Sequence, residues 1–360
     1  MILNMGSNLR NFLCNALNNS FLIIIFLIFS VGFSNAKEVE PGQSKTDYIL
    51  HHVKDSHEWH ITTLGHTHVT LPLPIILYSA DRGLEVFSSN RFLDPASHER
   101  VSYQGYYLDS HGKIATEDTT RKIYDFSITK NVAMLFLTII VLLFIMLSVA
   151  NRYKKYPNKA PKGMASFIEP IIIFVRDEIA KPNIPHKYEK FLPYLLTLFF
   201  FIWFGNILGL LPGAANLTGN IAVTFVLATI TFILTNINGN KEYWKHIFAT
   251  PGVPKPLLLI LVPVEFIGLF TKPFSLMVRL FVAITAGHIV ILSIIGLAFI
   301  FNSYVIGLAS SILVIFVNII ELLVATIQAY VFTLFSAMYI GAAATEHAHE
   351  DHKPDKALIH

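Results

Sequence analysis

The side chains best able to do chemistry in this sequence are ionisable groups set in hydrocarbon. Glu265, Lys272, Arg279 and His288 lie on one long apolar stretch, and Glu321 and Gln328 lie on the next. From Leu280 to Thr345 the only acid or base besides His288 is Glu321. Ionisable groups inside a membrane span are costly, usually face protein or water, and by default mark a functional path. His288 and Glu321 can both gain and lose protons near neutral pH when their surroundings shift them, so they suit a proton path. Arg279 does not. A guanidinium keeps its proton in proteins, so it is a permanent positive charge that attracts a carboxylate and repels a passing cation.

Spacing refines this. On a helix, Arg279 and His288 point to opposite sides, about 13 Å apart along the axis. Glu265 and Arg279 share a face about 21 Å apart if the helix continues through Pro273. Glu265 and His288 thus flank Arg279 along the helix, and Glu321 and Gln328, seven residues apart, share one face of the second segment. The arrangement predicts two half-paths ending near a fixed barrier, one through Glu265 and one through His288 and Glu321. The plainer alternative has Arg279 paired with Glu321 to hold two helices together, with His288 as a hydrogen-bonded packing residue. A second function class also fits an intramembrane ionisable site, a stand-alone secondary transporter. Such folds often show internal repeats and broken helices, and no convincing repeat relates the two halves of this chain.

The elements that carry these residues read as membrane spans. The chain of 360 residues is 53% hydrophobic and only 14% charged, against roughly a quarter charged in soluble domains. Between Phe191 and Asn240 there is no Lys, Arg, Asp or Glu, a run longer than the roughly 20 apolar residues of one crossing. Spans are expected at about 131–150, 191–211 and 221–238, and two long helices at 257–300 and 304–343. Each of the last two is about 60 Å long as a helix, twice the hydrocarbon thickness. They are read as a steeply tilted hairpin, with four shorter spans as the alternative. Residues 164–181 are too charged to span. Ile168, Ile171, Ile172, Val175 and Ile179 form one stripe with Arg176 and Asp177 off it, which predicts an amphipathic helix on the inner surface. The cation-rich segment "NRYKKYPNKAPKG" after the first span, and Lys241, Lys245 and Lys255 in a later loop, place those loops in the cytoplasm. The fold class expected is an all-α polytopic membrane protein with a small β-rich exported domain at its N-terminal end.

Residues 1–36 read as a signal peptide, with Arg10 ahead of the apolar run "FLIIIFLIFSVGF" and "SNA" suited to cleavage. The only cysteine, Cys14, lies within it, so the processed chain has no thiol or disulfide chemistry. Residues 37–127 form the exported domain, with a hairpin expected at "YYLDSHGKIAT". Its His51, His52, His57, His60, His66, His68, His98 and His111 match no metal-ligand template and read as solvated, as does the polar cytoplasmic tail 346–360. No metal site, cofactor or nucleotide motif is expected, and no nucleic-acid partner.

Three motifs carry a resemblance over residues 128–345. "PYLLTLFFFIWFGNILGLLPG" (193–213), "KPFSLMVRLF" (272–281) and "ELLVATIQAYVFTLF" (321–335) together resemble subunit a of the F-type ATP synthase membrane sector. The last two, in this order, are highly specific. The resemblance implies a non-catalytic, proton-translocating subunit of the proton-transporting two-sector ATPase. It implies a multi-pass chain in a bacterial inner membrane, with a periplasmic N-terminal domain and a cytoplasmic C-terminus. Its implied partners are a c-subunit ring, the b-subunit stator stalk, the remaining synthase subunits and the lipid bilayer. Carried over residue by residue, Arg279 matches the stator arginine that faces the rotor carboxylates. His288 and Glu321 match the two periplasmic half-channel positions, with acid and histidine in an order also found in the family. Gln328 matches the polar residue near the arginine, and Glu265 an acid toward the cytoplasmic exit. The family commonly has an asparagine four residues after the arginine, where this chain has Ala283.

Overall fold

A computed structural model describes residues 55–344, apart from 65–66, 93–100, 110–111, 117, 119–120, 157–159, 186, 212–213, 249–253 and 302–303. The expected signal peptide, Cys14, the C-terminal tail and the histidines at 51, 52, 66, 98 and 111 lie outside the described residues. The described chain divides into two compact units. One comprises residues up to 141 with 204–217 and 284–325, and the other 142–203, 218–283 and 326–344.

The first unit begins with short antiparallel strands. Strands β1 (Glu58–Leu64) and β2 (Thr67–Pro72) pair with a register shift between His60 and Thr62. Strand β3 (Pro74–Ser79) lies between β4 (Gly83–Ser88) and β7 (Ile123–Asp125), and β5 (Tyr106–Leu108) pairs with β6 (Ile114–Thr116). The period-two pattern of β3 sends Ile75 and Leu77 inward and Tyr78 outward. Ile75, Leu77, Phe92 and Tyr106 form a fully buried core, with Phe87, Tyr103 and Ile123 packed on it. The expected hairpin forms between β5 and β6. Gly112 takes the left-handed conformation there, at φ 76°, and its N–H donates to Asp109 O at 3.0 Å.

No free linker joins this sheet to the first helix, α1 (Lys130–Lys155). Phe126 N donates to Ile76 O and Ile128 N to Pro74 O, so the chain stays paired to β3 until two residues before α1. Lys130 N then donates to Ser56 O at 2.8 Å, and Asn131 N to Asp55 Oδ1 at 3.1 Å. The buried His57 sits beside this seam. Its Nδ1 lies 3.2 Å from Gly112 O, and its Nε2 lies 3.5 Å from Asp125 Oδ2. Burial would raise the Asp125 carboxyl, but hydrogen bonds from His57 and Ser127 outweigh it and hold the group at about 2.

Further helices follow, one of them, at Lys241–Phe248, where a loop was expected. They are α2 (Met164–Phe174), α3 (Tyr188–Gly209), α4 (Ile221–Ile237), α5 (Lys241–Phe248), α6 (Lys255–Phe301) and α7 (Tyr304–Ala344). Helices α1, α3, α6 and α7 are each long and apolar enough to cross a membrane. At about 26 Å, the 17-residue α4 is short for a span alone, and α5 turns away from it by 103°. The chain is thus mostly helical and polytopic, with its sheets confined to the N-terminal region.

The last two segments are each one uninterrupted helix, of 47 and 41 residues, and not pairs of shorter spans. They run to about 70 and 61 Å, roughly twice the hydrocarbon thickness, a length that a steep incline accommodates. Pro263 and Pro273 lie inside α6 and each removes one backbone donor without ending it. The amphipathic segment differs in detail from a plain helix. After α2, a π-helical turn spans Val175–Ala180 and a helical turn Lys181–Asn183 follows. Ile168, Val175 and Ile179 are fully buried as the stripe predicts, while Ile171 and Ile172 are half-buried. Arg176 and Lys181 both clasp Asp177, at 2.9 and 2.7 Å. Their hydrogen bonds, Arg176 first, hold its carboxyl well below the usual carboxylate range.

Within the second unit, polar side chains join the helices. Tyr194 on α3 meets Thr231 on α4 at 2.7 Å, and Thr231 lies 3.4 Å from Ser336 on α7. Such interhelical hydrogen bonds suit a low-dielectric surrounding, where an unpaired hydroxyl is costly. The last carbonyls of α7, which no intrahelical donor reaches, receive Asn240 N, Asn240 Nδ2 and Lys187 Nζ.

Candidate proton-path site

The first unit brings His288 and Glu321 together. His288 Nδ1 on α6 lies 3.2 Å from Glu321 Oε1 on α7. Glu321 is 3% exposed, and among the described residues neither of its carboxyl oxygens has an aligned hydrogen bond. The imidazole is close enough to exchange a proton with the carboxylate, yet the angle does not lock the pair. The buried hydroxyl of Thr285, one turn before the histidine, also has no partner among the described residues.

The geometry depends on Gly287. A Cβ built there would stand 2.9 Å from Glu321 Oε1 and 3.0 Å from its Cδ. The bare glycine is the space the carboxylate occupies. Sequence reasoning missed this residue, although its position directly before His288 was a signal.

The second unit holds Arg279, Lys272, Glu265 and Gln328. Among the described residues Arg279 meets no carboxylate. Its Cζ lies over the ring of Phe335 on α7, 4.3 Å from the centroid. Two turns earlier on α6, Lys272 Nζ lies 5.8 Å from the ring centroid of Tyr339. Glu265 and Gln328 are half-buried, and neither forms a described hydrogen bond to Arg279. Next to Lys272 is a crevice lined among others by Thr231, Thr235, Asn236, Tyr243 and Tyr339. Spacing did not mark Phe335 or Tyr339, because 29 phenylalanines and 14 tyrosines give no reason to single out two. Phe335 does continue the seven-residue series Glu321, Gln328, and that was the available signal.

Of the histidines in the N-terminal strands, His57 is buried against Asp125 and not solvated as expected, since it joins the strands to the seam at α1. No cluster of three or more His, Cys, Asp or Glu residues among the described residues could hold a metal.

A family model described as ATP synthase A chain matches residues 132–341, and one described as a domain of unknown function (DUF8433) matches 48–135. A protein of Chloroherpeton thalassium named ATP synthase subunit a is 49% identical over 235 residues, covering 64% of this chain and 69% of its own. One of the same name from Chlorobium phaeobacteroides is 42% identical over 271 residues, covering 73% and 79%. Another, from an Anaeromyxobacter species, is 41% identical over 257 residues, covering 68% and 62%.

Proposed function

The chain belongs to the ATP synthase A chain family, and from that premise we propose that it is the stator subunit that carries protons to and from a rotor ring of c-subunits. The observation that carries the reading is the buried Glu321 facing His288 at 3.2 Å, with no aligned hydrogen bond on either carboxyl oxygen among the described residues. A carboxylate in that setting can take up a proton and release it without first breaking a fixed bond.

The proposed path runs in two halves. Protons enter from the periplasm past Glu321 and His288 and neutralise a rotor carboxylate. The ring turns almost fully, and the proton leaves toward the cytoplasm on the Glu265 side. Gln328 is a neutral polar neighbour of the path. Arg279 attracts the unprotonated rotor carboxylate and repels protons that would otherwise cross directly, since its own proton does not leave. The chain itself moves protons and carries out no other bond chemistry. A proton crossing about 150 mV releases roughly 3.5 kcal/mol, so many small steps must be summed, as a ring taking one proton per subunit does.

The same proposal orients the chain. The signal peptide 1–36 and domain 37–127 are exported, domain 128–345 lies in the bacterial inner membrane, and the tail 346–360 is cytoplasmic. The cation-rich segment following the first span supports this through the positive-inside rule. Affinity purification of the tagged chain in mild detergent tests the partner assignment. Co-purification of a ring of small hairpin subunits with stalk and catalytic subunits is expected. A stable particle of this chain alone contradicts it and points to solute transport.

A further inference from the structure

We propose that the face of Phe335 is the seat of the Arg279 guanidinium, a positioning residue that fixes the stator charge while leaving its N–H donors for a carboxylate from outside the chain. The inference rests on the stator reading and deepens it. The guanidinium carbon lies 4.3 Å from the ring centroid, well inside the roughly 6 Å over which an aromatic face attracts a cation. A second rung stands beside it, with Lys272 5.8 Å from the Tyr339 centroid. The two rings pack on each other, centroids 6.1 Å apart and tilted by 39°. From 272 to 279 along α6, the partners on α7 run back from 339 to 335, the antiparallel order of a ladder.

The chemistry of the seat differs from that of an ion pair. A ring attracts a cation through the negative potential of its face and carries no net charge. An aromatic ring carries no carboxylate or carbonyl oxygen to accept them, so it leaves the five guanidinium donors available. A carboxylate from the same chain would hold the arginine too, but it would occupy the donors and cancel the charge that makes the barrier. Phe335 localises the cation and leaves it cationic.

The test uses the complete synthase in inverted membrane vesicles, with ATP-driven proton pumping and passive proton leak measured on the same preparation. Phe335→Leu keeps apolar bulk and removes the aromatic face, whereas Phe335→Tyr keeps the face. Pumping is expected to fall on the order of fivefold to tenfold in the leucine variant, with a raised leak, and to stay within about twofold in the tyrosine variant. A graded series of singly to triply fluorinated phenylalanines at 335 keeps shape while draining the ring face, which guards against a leucine variant that does not assemble. A stepwise fall in pumping with fluorine number supports the seat. A flat series, a leucine variant that pumps normally, or a tyrosine variant as poor as leucine overturns it. Arg279→Ala in the same vesicles separates the two readings. If it abolishes pumping while the fluorinated series is flat, only the seat fails. If it pumps normally, the stator reading fails first.

Discussion

At Gly287 the contest is between backbone preference and space. Replacing a helix-interior glycine by alanine ordinarily stabilises by roughly 0.5–1 kcal/mol. Here the new Cβ would stand 2.9 Å from Glu321 Oε1, and that atom is the end of a flexible side chain that can swing away. Stability should therefore survive and the carboxylate should move. Gly287→Ala is expected to assemble at wild-type levels while ATP-driven pumping falls several-fold. Normal pumping would mean that the position of Glu321 relative to His288 is not critical. This residue-scale detail was only half legible in the sequence. Glu321, His288 and Arg279 stood out because charge in hydrocarbon is rare. Gly287 and Phe335 did not, because small and aromatic residues are what apolar helices contain anyway.

At the scale of elements, the same substitution at Gly341 should have the opposite sign. A Cβ there would overlap the backbone carbonyl of Asn183, which cannot rotate away as a side chain can. Overpacking against backbone outweighs the entropy gained, so Gly341→Ala should cost about 2 kcal/mol. The check is protein level in the membrane and thermal stability in detergent, both expected to fall. The seam between β7 and α1 makes a pH prediction. Asp125 is held at about 2, below the roughly 3.9 of an unfolded aspartate, so its contribution is present above pH 4. That contribution is lost as pH falls from about 4 toward 2. Hydrogen exchange at residues 123–128 of the full chain, corrected for intrinsic rates, should accelerate across that window. In Asp125→Asn it should already be fast at pH 5; an unchanged profile would contradict a role for Asp125 in holding the seam. The long apolar helices were legible from the lengths of the apolar runs, though the helix over Ile221–Ile237 is short for a span alone. The π-helical turn at Val175–Ala180 was not, since an apolar stripe reads the same whether one turn is wide or regular. Nor was the role of His57, because contact between residues 57, 112 and 125 is set by strand pairing that composition does not encode.

At the scale of the whole molecule, the sequence and the fold point outward to partners. The chain supplies a fixed cation, a buried acid with an imidazole beside it, and two helices far longer than one crossing needs. The specific motifs on the last two helices made the family legible before any coordinate. The mechanism proposed for it needs a carboxylate that moves, on another subunit. The most direct measurement of that claim is ATP-driven proton pumping, with passive leak, by Arg279→Ala synthase in inverted vesicles. The account predicts an assembled complex that hydrolyses ATP but pumps no protons, with a raised passive leak. Pumping at the wild-type rate with an unaltered leak would contradict it.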